Sequence, residues 1–124
     1  MILVDTSVWV DHLRRGDAGL SETLEQNAVV MHPFIVGEIA CGSLANRAGV
    51  MELLGQLPMV AVAESDEVLG FVEVHKLYGK GLGYVDVHLL ASAAMGGAKL
   101  WTRDMRLDAV ARQLGLALPA VGGH

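Results

Sequence analysis

Four acids are spaced along this chain so that a fold could gather them: Asp5 closes an opening apolar run, Asp104 closes a later one, and Glu38 and Asp86 lie in helical patterns between. Carboxylates brought that close repel one another. Such a cluster persists when a hard cation that prefers oxygen ligands, Mg²⁺ or Mn²⁺, neutralises it. The chemistry it would support is metal-assisted work on phosphates. Each acid also has a plainer explanation. Asp5, followed by Thr6-Ser7, and Asp104 are both placed to cap a helix, because a side-chain oxygen there accepts from an orphan N–H of the first turn. Asp86, near the start of its helix, would suit the positive end of the helix dipole. Glu38 resists that treatment. Phe34, Ile35, Val36, Ile39 and Ala40 surround it, and a carboxylate buried among them would need an arginine or a metal.

The elements that must position these acids alternate. Apolar runs predict strands over 2–4, 28–31, 59–62, 99–102 and 116–118; helical spacing and capping residues predict helices over 6–14, 20–26, 33–42, 47–57, 65–78, 84–95 and 104–114. His32-Pro33 punctuates the third helix, and Gly79-Lys80-Gly81-Leu82-Gly83 separates the fifth from the sixth. Alternation of this kind implies an α/β fold, a three-layer α/β/α sandwich around a mainly parallel sheet of about five strands, in one domain over 1–124. Ligand sites of such sheets lie beyond the carboxyl ends of the strands where strand order reverses. If the first and fourth predicted strands are neighbours there, Asp5 and Asp104 face each other, with Glu38 and Asp86 entering from adjoining helices. The glycine-rich tail is expected to be loose.

Composition bounds the rest. A mean hydropathy of +0.43 and 52% hydrophobic residues are high for 124 residues and predict an apolar patch covered by a partner, on helices bearing Val8, Trp9, Val10 and Leu13 or Leu53, Leu54 and Leu57. No apolar run is long enough to span a membrane and the start does not read as a signal peptide, which points to the cytoplasm. The lone Cys41 excludes an internal disulfide and reads as a small buried helix residue. His12, His32, His75, His88 and His124 share no ligand or dyad spacing, so metal-free acid–base catalysis has no support; Trp9 and Trp101 read as core. A net charge of −5 opposes binding of nucleic acid through bulk charge, so phosphates would have to meet a local rim such as Arg14, Arg15, Arg103 and Arg106.

Four segments in order, Val4-Asp5-Thr6-Ser7-Val8-Trp9, Pro33-Phe34-Ile35-Val36-Gly37-Glu38, Gly81 through Ser92, and Leu100-Trp101-Thr102-Arg103-Asp104, resemble the signature of PIN-domain ribonucleases, specifically VapC-type toxins. The resemblance covers nearly the whole chain. It implies an endoribonuclease whose acidic site is Asp5, Glu38, Asp86 and Asp104, supported by the hydroxyl of Thr102 and of Thr6 or Ser7. It also implies Mg²⁺ or Mn²⁺ as cofactor, an RNA substrate, an inhibitory cognate antitoxin and a homodimer. Water activated in such a site would attack the phosphodiester in line and leave a 5′-phosphate and a 3′-hydroxyl.

Two other classes share the length and alternation. A receiver-type phosphoacceptor module would carry further acids early and a Lys after the last strand, whereas Thr6-Ser7 follows Asp5 and Ala117-Leu118-Pro119 holds no Lys. A PIN-like binding module could keep the acids without turnover. A phosphatase using Asp5 as nucleophile is disfavoured by Ser7 where its second Asp would stand.

Overall fold

The computed structural model describes residues 1–119; the glycine-rich tail and His124 lie outside the described residues. In chain order the elements are β1 (Ile2–Val4), α1 (Thr6–Arg15), α2 (Ala18–Glu25), β2 (Val29–Val30), α3 (Pro33–Ala40), α4 (Arg47–Gln56), α5 (Ser65–His75), α6 (Tyr84–Gly96), β3 (Lys99–Trp101) and α7 (Met105–Gln113). Helix boundaries follow local chemistry. Pro33 opens α3 behind His32, whose Nδ1 accepts from Phe34 N at 3.0 Å, and Glu64 N donates to Glu67 Oε1 at 2.9 Å at the head of α5. Gly16, at φ +77°, ends α1 in a conformation that side chains disfavour.

The strands run parallel in the order β2-β1-β3. Two single bridges, Met31 with Met59 and Leu100 with Ala117, extend the sheet on either side. Five strands were expected and the segments near 59 and 117 do lie in the sheet, but each contributes one bridge rather than a ladder. The chain steps from β1 to β2 to residue 59, then returns to the other side of β1 as β3. Order therefore reverses between β1 and β3, as the placement of Asp5 and Asp104 requires. Right-handed crossovers in opposite directions put the first helices on one face and the last on the other, consistent with contact of α1 with α3 and of α5 with α6.

One core joins both faces to the sheet, with Leu3, Val4, Trp9, Leu89, Leu100 and Leu107 fully buried. Helix α6 is buried at every position from Val87 to Ala93, so it crosses the interior rather than lying on the surface. Val8, Trp9 and Leu54, expected on a partner-facing surface, belong to this core. Leu53 is exposed, as expected, and further exposed apolar side chains include Leu69, Val74 and Tyr78 on and after α5, Met95 at the end of α6 and Met105 at the head of α7. Cys41 is exposed, not buried, because α3 ends at Ala40 and the residue falls past the inward stripe of Ile35 and Ile39. Trp101 is only partly buried. Among the described residues no helix is long and apolar enough to cross a membrane.

Candidate active site

Asp5 stands where β1 ends, and its N–H donates to Trp101 O at 2.8 Å, so the parallel ladder itself sets Asp5 beside the turn that follows β3. It occupies the N-cap position of α1, yet its side chain caps nothing. Oδ2 instead accepts from Thr102 Oγ1 at 2.7 Å and from Ser7 Oγ at 2.9 Å. Both hydroxyls are themselves oriented: Asp104 N donates to Thr102 Oγ1 at 3.1 Å and Arg103 N to Ser7 Oγ at 3.0 Å. Each hydroxyl thus accepts one backbone N–H and turns its proton to Asp5, and the two oxygens stand 3.4 Å from each other. Asp104 does cap α7, through Oδ1 to Leu107 N at 3.0 Å, so its plainer explanation holds beside any further role.

Asp86 lies in the first turn of α6, where Oδ2 accepts from Gly83 N at 3.0 Å. Burial pushes its carboxyl pKa up; the Gly83 N–H opposes this, and the negative charges of Asp5 and Asp104 add to it. That repulsion places the three aspartates in one electrostatic neighbourhood. Glu38 is exposed, which removes the burial argument made from its neighbours: Ile35 and Ile39 face the core, while Phe34, Gly37 and Glu38 face outward. It is joined to the group differently, since Thr6 Oγ1, on the residue after Asp5, donates to Glu38 Oε1 at 2.6 Å. Glu38 itself lines an open cleft of 710 Å³ with Phe34, Cys41, Tyr84 and Val85. Among the described residues no three acid, His or Cys side chains already stand at common metal-ligand distances.

Each of the four has an oxygen to spare, as surface acids such as Glu22 and Glu67 also do; what sets the aspartates apart is their place at the carboxyl edge of the sheet and at the head of α6. Asp5, Asp86, Asp104 and Glu38 each give one oxygen to protein donors and leave the second with none among the described residues. Asp11, Asp17 and Asp108 have both oxygens engaged. Asp11 meets Arg15 and Arg103, Asp17 meets Leu20 N and Arg103, and Asp108 is bridged by Arg112. Four uncommitted carboxylate oxygens form a hard donor set that fits Mg²⁺ or Mn²⁺ and suits a softer metal poorly.

Arg103 was expected to meet phosphates and does not stand free to do so. Its two terminal nitrogens are held by Asp11 and Asp17, lowering the pKa of both carboxyls, for Asp17 after the larger effect of Leu20 N, and raising that of Arg103. The clamp ties the turn carrying Thr102 and Asp104 to the end of α1 and the head of α2. His32 was read only as punctuation, but it is fully buried and its neighbour His88 nearly so, with ring centroids 6.1 Å apart. Desolvation lowers His32 to about 4, with a further contribution from His88, and burial also lowers His88. Phe34 N occupies His32 Nδ1, and His32 Nε2 and His88 Nδ1 have no partner among the described residues. The one sequence signal for His32 was its place before a helix-opening proline.

The raised pKa of Asp86 has a thermodynamic consequence. An acid whose folded value lies above its unfolded one destabilises the metal-free fold as pH rises through the folded value, and the penalty vanishes below the unfolded value near about 4. Asp86→Asn is therefore expected to melt higher than the wild type at neutral pH in EDTA, with the gain lost in acid. Excess Mg²⁺ should reverse the order, since only the wild type gains full binding energy. An Asn variant that melts lower in EDTA would contradict this account.

Comparison with known proteins adds a family to this geometry. Residues 2–113 match the model of the PIN domain. Ribonuclease VapC32 of Mycobacterium tuberculosis, in strains CDC 1551 and H37Rv, is 50% identical over 119 residues, 95% of this chain and 96% of that protein. Among solved structures, a chain of FitAB bound to an IR36 DNA fragment superposes with a TM-score of 0.63 at 19% identity, over 90% of this chain and 91% of that one. PAE2754 from Pyrobaculum aerophilum gives 0.55 at 18% identity, over 87% and 77%. At those identities the two structures speak for the fold alone.

Proposed function

Because the chain belongs to the PIN-domain family and, within it, to the VapC-type ribonuclease toxins, we propose that Asp5, Glu38, Asp86 and Asp104 are the residues that carry its metal-dependent endoribonuclease chemistry. The observation that carries the assignment is the convergence of the four, each with an oxygen to spare: Asp5 and Asp104 follow the neighbouring strands β1 and β3, Asp86 feels the charge of both, and Thr6 ties Glu38 to the residue after Asp5. Asp5, Asp86 and Asp104 would hold Mg²⁺ or Mn²⁺ directly or through water, and Glu38 would act as a ligand or as the base that orients water. The bound cation supplies a water of lowered pKa and offsets charge on the phosphoryl and leaving oxygens.

The chain's own groups do the positioning. Thr102 and Ser7 fix Asp5 Oδ2 and thereby turn Oδ1 to the site, Thr6 holds Glu38, and the Gly83 N–H holds Asp86. Held carboxylates lose little further freedom when a cation and a phosphate arrive. The partners we assign are an RNA substrate in the cytoplasm, a cognate antitoxin, and a second copy of the chain. The exposed Leu69, Val74 and Met95 supply apolar surface for protein partners.

The test is cleavage of a structured RNA pool by the purified chain in Mg²⁺ or Mn²⁺ against EDTA, with product ends mapped. Metal-dependent cuts leaving 5′-phosphates are expected. Cuts that survive EDTA, or cyclic phosphate ends, would refute the mechanism; no cleavage of any RNA would favour a PIN-like binding module.

A further inference from the structure

A chain of net charge −5 must meet RNA through local cations, and its nine lysines and arginines divide by what they touch. Arg47 donates to Ala40 O at 2.6 Å, Lys99 to Gly115 O at 2.6 Å, and Arg112 bridges Asp108. Arg15 and Arg103 are engaged by Asp11 and Asp17. Arg14, Lys76, Lys80 and Arg106 have no acceptor among the described residues, and no contact sets either lysine beside a site carboxylate.

The two free arginines do border the acids. Arg14 is exposed on α1 and shares a cleft of 350 Å³ with Glu38. Arg106 is exposed in the first turn of α7, two residues after Asp104, and its guanidinium lies against the loop that leads into Asp86. A Cβ built on Gly81 would come within 2.6 Å of Arg106 Nη1, so the missing side chain leaves room for that nitrogen. The same loop ends at Gly83, whose N–H holds Asp86. One guanidinium thus shares a cleft with Glu38, and the other lies against Gly81 in the loop that precedes Asp86.

We propose that Arg14 and Arg106 grip the RNA backbone, each binding a phosphate on one side of the scissile phosphodiester. This rests on the nuclease function above and assigns its substrate-binding residues. A guanidinium presents a planar fork of donors to phosphate, and an unpaired one beside an acidic cluster opposes the repulsion an incoming polyanion meets there. Contacts of this kind set position and register and carry no base information, so the grip is sequence-independent.

The experiment measures KM, kcat and the salt dependence of kcat/KM for RNA cleavage by the full chain, together with binding of a labelled short single-stranded RNA of random sequence in EDTA. Arg14→Gln and Arg106→Gln are each expected to raise KM about 5- to 10-fold and to reduce the log–log salt slope by about 0.7, the loss falling on KM rather than kcat. Lysine at either position should restore the slope, and Arg112→Gln, at a residue bridged to Asp108, should change neither quantity. Unchanged KM and slope in both glutamine variants of a cleaving enzyme would overturn the grips while leaving the nuclease assignment standing. A fall in kcat at constant KM would overturn them as well. If the wild type failed to cleave yet lost the expected slope in the binding assay with each variant, the grips would stand and the catalytic assignment would fall.

Discussion

Asp5→Asn is expected to reduce metal-dependent RNA cleavage by about 10³-fold, roughly 4 kcal/mol of transition-state stabilisation, while the protein stays folded. The reason lies in the two hydroxyls on Oδ2. Thr102 Oγ1 and Ser7 Oγ each accept a backbone N–H, from Asp104 and Arg103, and both turn their protons to Oδ2 of residue 5. An asparagine that keeps its carbonyl oxygen toward them must turn its NH₂ to the position of Oδ1, presenting donors where a cation needs a lone pair. Flipped, its NH₂ would displace both hydroxyl protons from the acceptor they share, leaving only a neutral oxygen toward the site. The first orientation loses the ligand and the second keeps only an uncharged one at the cost of two hydrogen bonds, while the side chain keeps its size, so the fold should be spared. Single-turnover cleavage in saturating Mg²⁺, with a melting curve alongside, measures both halves. Retention of activity within about tenfold would remove Asp5 from its role.

What could be read before the fold was known divides along a physical line. Positions set by backbone pattern were legible. An acid after each of two apolar runs, in a chain that alternates strand and helix, must lie at the carboxyl edge of a parallel sheet, and β1 and β3 are indeed neighbours. Quantities set by side-chain direction and long-range pairing were not. Glu38 sits among apolar neighbours in sequence, but a helix sends residues 35 and 39 to one face and turns 38 away from it. Arg103 looked like a phosphate ligand because Asp11 and Asp17, separated from it by most of the chain, become its partners only on folding. The outer strands shrank to single bridges because their pairing depends on how the edges twist and close, which alternation does not encode. The hydroxyls Ser7 and Thr102 were expected to support the site; the amides of Arg103 and Asp104 behind them are visible only in three dimensions.

That backing makes Thr102→Val the second large prediction. Valine nearly matches threonine in shape but has no hydroxyl, so the exchange removes the 2.7 Å donor to Asp5 Oδ2 and at the same time leaves Asp104 N without its acceptor. Two of the four carboxylates are loosened by one atom. Outer-shell partners of metal ligands are typically worth about 10–100-fold in metal affinity or activity, and the upper part of that range is expected here because the lost oxygen serves both acids. Taking the acceptor from the half-buried Asp104 amide should also cost about 1 kcal/mol of stability. The distinguishing readout is the Mg²⁺ concentration for half-maximal cleavage, which should rise in Thr102→Val and return close to the wild-type value in Thr102→Ser. Ser7→Ala should produce a smaller rise, and the double variant should fall short of the product of the two, since both hydroxyls converge on a single oxygen of Asp5. A Thr102→Val protein with unaltered metal dependence but a lower melting temperature would assign the hydroxyl to the fold alone.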